Sequence, residues 1–136
     1  MDEDNPQALI NDYLAECQEH LAAIEADLLA IEASRTAVDE GVVNRVFRAV
    51  HSIKGGASLL GFTTIRQLAH QVETALDWIR IGSLAPTGEV ISVLLRSGDA
   101  LRELVCNCRD SDRADIPGVM AELAGLAARR PAQQAV

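Results

Sequence analysis

Aromatic residues are scarce in this chain, which has two phenylalanines, one tyrosine and one tryptophan among 136 residues. Sandwiches and barrels draw on aromatic and β-branched residues, so this shortage disfavours both fold classes. Hydrophobic residues still make up 49% of the chain, which is enough for one buried core. Most of them are alanine and leucine, which favour helix. The composition therefore indicates a single helical domain.

An excess of basic residues is also lacking, because 20 acidic residues face 12 basic ones and the formal net charge is -8. Non-specific nucleic-acid binding and docking on anionic membranes both need a basic surface. No apolar run reaches the length of a membrane span. We therefore expect no nucleic-acid partner and no membrane insertion.

The chain has too few cysteines for a disulfide framework. Their number is odd, with one each at Cys17, Cys106 and Cys108. The acidic start of the chain does not resemble a secretory signal peptide. We expect reduced thiols in a cytoplasmic protein, with Cys17 and Cys108 at core positions. Cys106 and Cys108 lack a second cysteine pair, so no metal site is predicted.

Five segments repeat apolar residues in steps of three and four, the period of an amphipathic helix. The predicted helices cover residues 6–34, 39–60, 63–81, 87–108 and 115–129, with Asp39 and Thr87 as caps. Short connections make neighbouring helices antiparallel. The predicted fold is all-α, an antiparallel up-down four-helix bundle with an additional C-terminal helix. One domain is expected over residues 1–130, with residues 131–136 as a disordered tail.

The second helix carries the sequence His-Ser-Ile-Lys-Gly-Gly at residues 51–56. The helical period turns His51 away from the apolar stripe, with Gly55 one turn further along the same side. Each glycine costs about 1 kcal/mol of helix stability relative to alanine. A bare position beside His51 would let a partner approach the imidazole. The alternative is a surface histidine with glycines that serve close packing, the role expected for Gly56.

The third helix adds His70 and Glu73 on its polar face. In an antiparallel hairpin this face approaches His51, where a carboxylate would hold one ring N–H and leave the other nitrogen free. That nitrogen would be a nucleophile toward phosphorus, and Lys54 would offset phosphoryl charge. The alternative is a solvated helix face, and we expect that losing Glu73 costs less than about 1 kcal/mol of stability.

Motifs for other chemistries are missing. The sequence has no P-loop, no dinucleotide-binding fingerprint and no serine nucleophile elbow. Because no ATP site is visible, we expect that the domain is not an enzyme on its own.

The residues from Phe47 to Ala57, with those at 60–62, 68–73 and 84–87, resemble the histidine-containing phosphotransfer (HPt) domain. More narrowly, they resemble the N-terminal phosphotransfer domain of CheA-type chemotaxis histidine kinases, over about residues 5–125. The resemblance implies a four-helix bundle in which His51 is phosphorylated at Nε2 and Glu73 binds its Nδ1–H. It also implies that Lys54 and His70 support this network or the phosphoryl oxygens.

The same resemblance implies the partners. A kinase core would bring ATP and Mg²⁺, and a CheY-like response regulator would bring its own Mg²⁺, so the domain itself needs no cofactor. Gly55 would give clearance to the regulator, and we place Arg48 and Ser58 with it in the expected docking surface.

Several alternatives stay open from the sequence. The chain is either part of a CheA-type kinase or a free-standing phosphorelay protein, and its second glycine and Phe-Arg context favour the kinase. A different class of function is a non-catalytic helical adaptor, which would not need the set His51, Lys54, His70 and Glu73. A metal site at the two histidines and Glu73 is disfavoured by the neighbouring lysine.

Overall fold

The computed structural model describes residues 5–34 and 37–131. Within them the chain forms five α-helices and no strand: α1 (Pro6–Ala33), α2 (Glu40–Leu60), α3 (Thr63–Arg80), α4 (Gly88–Cys106) and α5 (Pro117–Gly125). Short 3₁₀ helices follow α4 at Cys108–Arg113 and α5 at Leu126–Arg129. The all-α prediction is confirmed. Beyond Pro131, the predicted disordered tail lies outside the described residues.

The starts of two helices follow the predicted capping residues. The Asp39 side chain accepts a hydrogen bond from the Gly41 backbone N–H at the start of α2, and Thr87 does the same for Val90 at the start of α4. Gly61 ends α2 with a φ of 80°, a left-handed conformation that glycine adopts without a steric penalty. Local sequence therefore accounts for these boundaries.

Three predicted boundaries are wrong near the C-terminus. The fourth helix ends at Cys106 instead of Cys108, because the backbone leaves the α conformation at Asn107 and tightens into the 3₁₀ helix. The fifth ends at Gly125 instead of Arg129, where the chain continues as a 3₁₀ helix, and it begins at Pro117 instead of Asp115. Proline suits the first turn of a helix, but it disfavours helical geometry in the residue before it, here Ile116.

Contacts between helices establish the antiparallel order. Tyr13, early in α1, donates a hydrogen bond to the Ile53 carbonyl late in α2, and Asp27, late in α1, pairs with Arg45 early in α2. The same crossing pattern joins α2 to α3 and α1 to α4, through the pairs His51–Glu73, Phe47–Arg80, Gln18–Cys106 and Glu25–Arg102. The helices therefore alternate in direction around the bundle, as predicted.

The core lies along the bundle axis and contains the apolar stripes of α1 to α4. Burying each leucine or isoleucine contributes roughly 1.5–3 kcal/mol. The largest fully buried side chains include Leu21, Leu28, Ile53, Leu68, Leu76, Ile91, Leu94 and Leu101. Cys17 and Cys108 are buried as predicted, and burial raises the pKa of the Cys17 thiol to about 11. Every helix in the described part of the chain is too short or too polar to cross a membrane.

Candidate functional site

His51 lies on the outer side of α2, with 62% of its side chain exposed. Its Nδ1 is 2.6 Å from Oε2 of Glu73, which α3 presents across the seam between the two helices. A carboxylate can only accept hydrogen bonds when ionised, so the ring nitrogen facing it donates its proton. In the neutral imidazole this leaves the lone pair on Nε2.

Glu73 lies beside His51 as expected, but only 11% of its side chain is exposed, so the alternative of a solvated helix face is wrong. Packing of α3 against α2 turns this residue into the seam. Each of its carboxylate oxygens has a separate partner there. Oε2 accepts from His51, and Oε1 accepts from Lys54 Nζ at 2.6 Å. The carboxylate is therefore held from two directions and aimed at the imidazole.

The charge of Glu73 follows from this arrangement. Burial alone would raise the pKa of its carboxyl group, because a charged group is disfavoured away from water. The hydrogen bonds from Lys54 and His51, together with their charges, outweigh that effect and hold the pKa below its ordinary value. Glu73 is therefore ionised at neutral pH and able to accept the Nδ1 proton.

Lys54 is itself only 22% exposed, so its ammonium group sits beside the seam and close to the imidazole that shares its carboxylate. His70 is different. Its Nδ1 is 3.8 Å from Glu73 Oε1, beyond hydrogen-bond distance, and its side chain is 58% exposed. The structure thus brings three of the four predicted site residues into direct contact and leaves His70 at the rim.

The two glycines of α2 have different surroundings. A Cβ atom added at Gly55 would meet nothing within 4 Å, so the helix surface is open there. A Cβ at Gly56 would overlap the ring of Tyr13 on α1. Gly56 is therefore a packing glycine, as predicted. Arg48 and Ser58 are exposed on the same helix as Gly55, and the docking role of all three stays a prediction.

Two residues next to His51 had no role in the sequence prediction. The Phe47 ring lies within 7° of parallel to the imidazole, with the ring centroids 6.4 Å apart. The Arg80 guanidinium lies over the Phe47 ring, 4.6 Å from its centroid. Phe47 precedes His51 by one helical turn, a spacing that could have revealed the contact. Arg80 carries no such signal, because only the register of α3 against α2 brings it there.

A metal centre receives no support from the described residues, where no group of three histidine, cysteine or carboxylate side chains is placed to hold an ion. At Glu73, the Lys54 ammonium already occupies the oxygen that a cation would need. The arrangement instead suits nucleophilic chemistry, because a buried anion orients an exposed imidazole and a cation nearby can offset negative charge.

The family model of the Hpt domain matches residues 8–111. The chain therefore belongs to the Hpt domain family, and the resemblance described from its sequence is confirmed.

The chain is also similar to parts of larger chemotaxis proteins. The chain is 42% identical over 103 residues to the chemotaxis protein CheA of Rhizobium meliloti (strain 1021), covering 76% of this chain and 13% of that protein. It is 36% identical over 100 residues to CheA of Cereibacter sphaeroides, covering 71% of this chain and 15% of that one. The chain thus spans only a small part of the length of these relatives.

A solved structure agrees in fold. The phosphorylated P1 domain of CheA3, in complex with CheY6 from R. sphaeroides, superposes with a TM-score of 0.75 at 30% identity. The match covers 95% of this chain and 99% of that one.

Proposed function

We propose that this domain is a phosphoryl carrier in chemotaxis signalling. His51 accepts a phosphoryl group from ATP bound in a histidine kinase core and donates it to the aspartate of a CheY-like response regulator. One observation carries the proposal: Nδ1 of His51 is 2.6 Å from a buried, ionised carboxylate while most of the imidazole is exposed. In the neutral imidazole, that geometry keeps the proton on Nδ1 and the lone pair on the reactive nitrogen, Nε2.

In the loading step, the Nε2 lone pair attacks the γ-phosphorus of ATP. An N–P bond forms, the bond from phosphorus to the bridging oxygen breaks, and ADP leaves with that electron pair. The imidazole becomes positively charged, and its Nδ1 proton stays hydrogen-bonded to Glu73. The anionic carboxylate stabilises this charge, while Lys54 offsets charge on the phosphoryl oxygens. His70, at the rim, supports the same oxygens.

In the transfer step, a carboxylate oxygen of the regulator's aspartate attacks phosphorus. The N–P bond breaks, its electron pair returns to Nε2, and the imidazole is neutral again. Mg²⁺ bound by the regulator neutralises the charge that develops on the transferred group. The domain thus acts as a substrate and an intermediate, and the kinase core binds the ATP.

The comparisons support these partners. The relatives are named as chemotaxis CheA proteins, and the P1 domain of CheA3 was solved phosphorylated and in complex with CheY6. We extend that pairing to this chain. Membership of a longer kinase and a cytoplasmic location belong to the same proposal.

The proposal is tested by incubating the domain with a CheA-type kinase core, Mg²⁺ and ATP labelled on its γ-phosphate. We expect label that is lost in acid and kept in alkali, as an N–P bond requires, and no label on His51→Gln. Helicity of that variant should be unchanged, because His51 is exposed.

Matched controls are His20→Gln on α1 and His70→Gln on α3. The first should label as the wild type does, and the second should still accept label at His51. Loss of label in His20→Gln, or retained label in His51→Gln, would rule out the assignment. An adaptor without phosphotransfer would take no label in any variant.

A further inference from the structure

Leu59 on α2 is 87% exposed, more than the other large hydrophobic side chains on the described surface. It follows His51 by eight residues and Gly55 by four. That spacing keeps all three on neighbouring positions of one outward strip of α2, which we call the acceptor strip. A single exposed leucine needs no explanation by itself. Its place on the strip that carries the reactive histidine is what makes Leu59 informative.

The usual size of a protein interface indicates how much of the surface around His51 a bound partner covers. A specific interface covers roughly 800 Å² on each partner, equivalent to a disc of about 16 Å radius. Leu59 lies about 12 Å along the helix axis from His51, at 1.5 Å for each residue. A protein centred on the Nε2 atom therefore covers Leu59 unless its contacts all lie on the other side.

The other directions around His51 are less suited to close, dry contact. Beside the seam lies the charged Lys54 of α2, and across the seam lies the exposed His70 of α3. Toward the start of α2, the Arg80 guanidinium covers Phe47, and Arg45 is paired with Asp27. Along the acceptor strip, by contrast, Gly55 presents no side chain and no neighbour within 4 Å.

We propose that Leu59 is the apolar anchor of the surface on which the response regulator docks, and that this surface extends from His51 toward the C-terminal end of α2. The proposal rests on the proposed function, because the occupant is the protein whose aspartate must reach Nε2. It adds a residue that binds this partner without taking part in the transfer. Leu59 would stabilise the complex because its exposed apolar surface is removed from water when the regulator covers it.

The test is phosphoryl transfer from the labelled domain to a CheY-like regulator, measured over a range of regulator concentrations. Leu59→Asp should raise the half-saturating concentration about tenfold, and Leu59→Ala about three- to fivefold, the effect of losing about one buried CH₂ group. The rate at saturation should not change, because Leu59 does not reach the phosphorus. Leu59→Met should restore near-normal half-saturation.

The matched control is Leu29→Asp. Leu29 is also exposed, at 47%, but it lines a groove between α1 and α4, on the side of the bundle opposite the seam. This variant should transfer as the wild type does. Thermal unfolding of each variant shows whether the bundle is intact. If Leu59→Asp does not fold, Leu59→Ala tests the same contact, because alanine suits a helix.

Two results would overturn the inference while leaving the proposed function intact: Leu59 variants that load and transfer normally at every regulator concentration, or variants that change only the saturating rate. Failure of the proposed function looks different, because the wild-type domain would then take no label at His51. A Leu29→Asp variant as impaired as Leu59→Asp would also overturn the inference, since the effect would not be local to the acceptor strip.

Discussion

Gly55 and Gly56 are adjacent in sequence but belong to different parts of the molecule. Gly55 faces outward beside His51, where an added Cβ would meet nothing within 4 Å. Gly56 faces α1, where an added Cβ would overlap the Tyr13 ring. Successive residues of a helix point about 100° apart, so two adjacent glycines can face different surroundings and serve different purposes. The first glycine is not required by the fold, and the second is.

The same division runs along the whole of α2. Its α1-facing side holds the bundle together through close contact, including the 2.8 Å hydrogen bond from the Tyr13 hydroxyl to the Ile53 carbonyl. Its outer side and the seam with α3 hold His51, Lys54 and the buried Glu73. The fold therefore depends on the α1-facing side of this helix, whereas the chemistry depends on the outer side, where the fold tolerates change. This difference gives four predictions.

The largest effect is expected for Gly56→Leu. The side chain would have to displace Tyr13 and break its hydrogen bond to Ile53, so we expect a loss of about 3 kcal/mol or more, at the upper end of overpacking. Chemical denaturation followed by far-UV circular dichroism measures it. A variant as stable as the wild type would show that α1 and α2 can move apart at this point.

Glu73→Ala should slow phosphorylation of His51 by about ten- to a hundredfold, the range for losing the residue that orients a histidine. The stability cost should be about 1–2 kcal/mol, since Lys54 loses its acceptor while half-buried. NMR of the imidazole nitrogens reports the tautomer directly. In the wild type we expect the proton on Nδ1, and a dominant Nε2–H form would contradict the orienting role of Glu73.

Gly55→Leu is the counterpart of Gly56→Leu on the outer side. The helix should gain roughly 0.8 kcal/mol, because leucine is the better helix former and has open space here. Transfer to the regulator should nevertheless fall, since the side chain stands in the path of approach. A raised melting temperature with impaired transfer is the expected signature. If Gly55→Leu transfers normally, the regulator docks on a surface that does not include Gly55.

The smallest effect concerns acid stability. The pKa of Glu73 is lower in the folded state than its ordinary value of 4.5, so its ionised form stabilises the fold. That contribution is complete above the ordinary value and is lost as the pH falls through the folded value. Glu73→Gln should therefore lose less stability than the wild type between neutral pH and about pH 3. If the free energies of unfolding of the wild type and of Glu73→Gln fall equally with pH over this range, Glu73 does not contribute to acid stability in this way.

The sequence was a good guide to properties that a single helix carries by itself. Apolar spacing located the helices, and the capping residues Asp39 and Thr87 marked two of their starts, because caps act on backbone groups of the same turn. The outward position of His51 followed from the helical period alone. The boundary near Asn107 was missed because the apolar pattern continues to Cys108 after the backbone has left the helix.

Contacts between helices were harder to foresee. The approach of Glu73 to His51 followed from an antiparallel hairpin of α2 and α3. Its burial did not, since the period of α3 places Glu73 opposite Leu68 and Val72. Burial of this residue depends on the register and rotation of α3 against α2, which a one-dimensional pattern does not contain. For the same reason the Arg80–Phe47 contact carried no sequence signal.

What the sequence determined by itself is the set of helices, their alternating directions and the reactive side chain on the outer side of α2. These depend on local geometry and on short connections. What only the tertiary structure decided is how deeply the site is buried and which side chains surround it. The side chain of Glu73 is 11% exposed beside His51, and Gly56 lies against the ring of Tyr13. The physical reason is that burial and ion pairing depend on how helices pack, and packing is a property of the whole bundle.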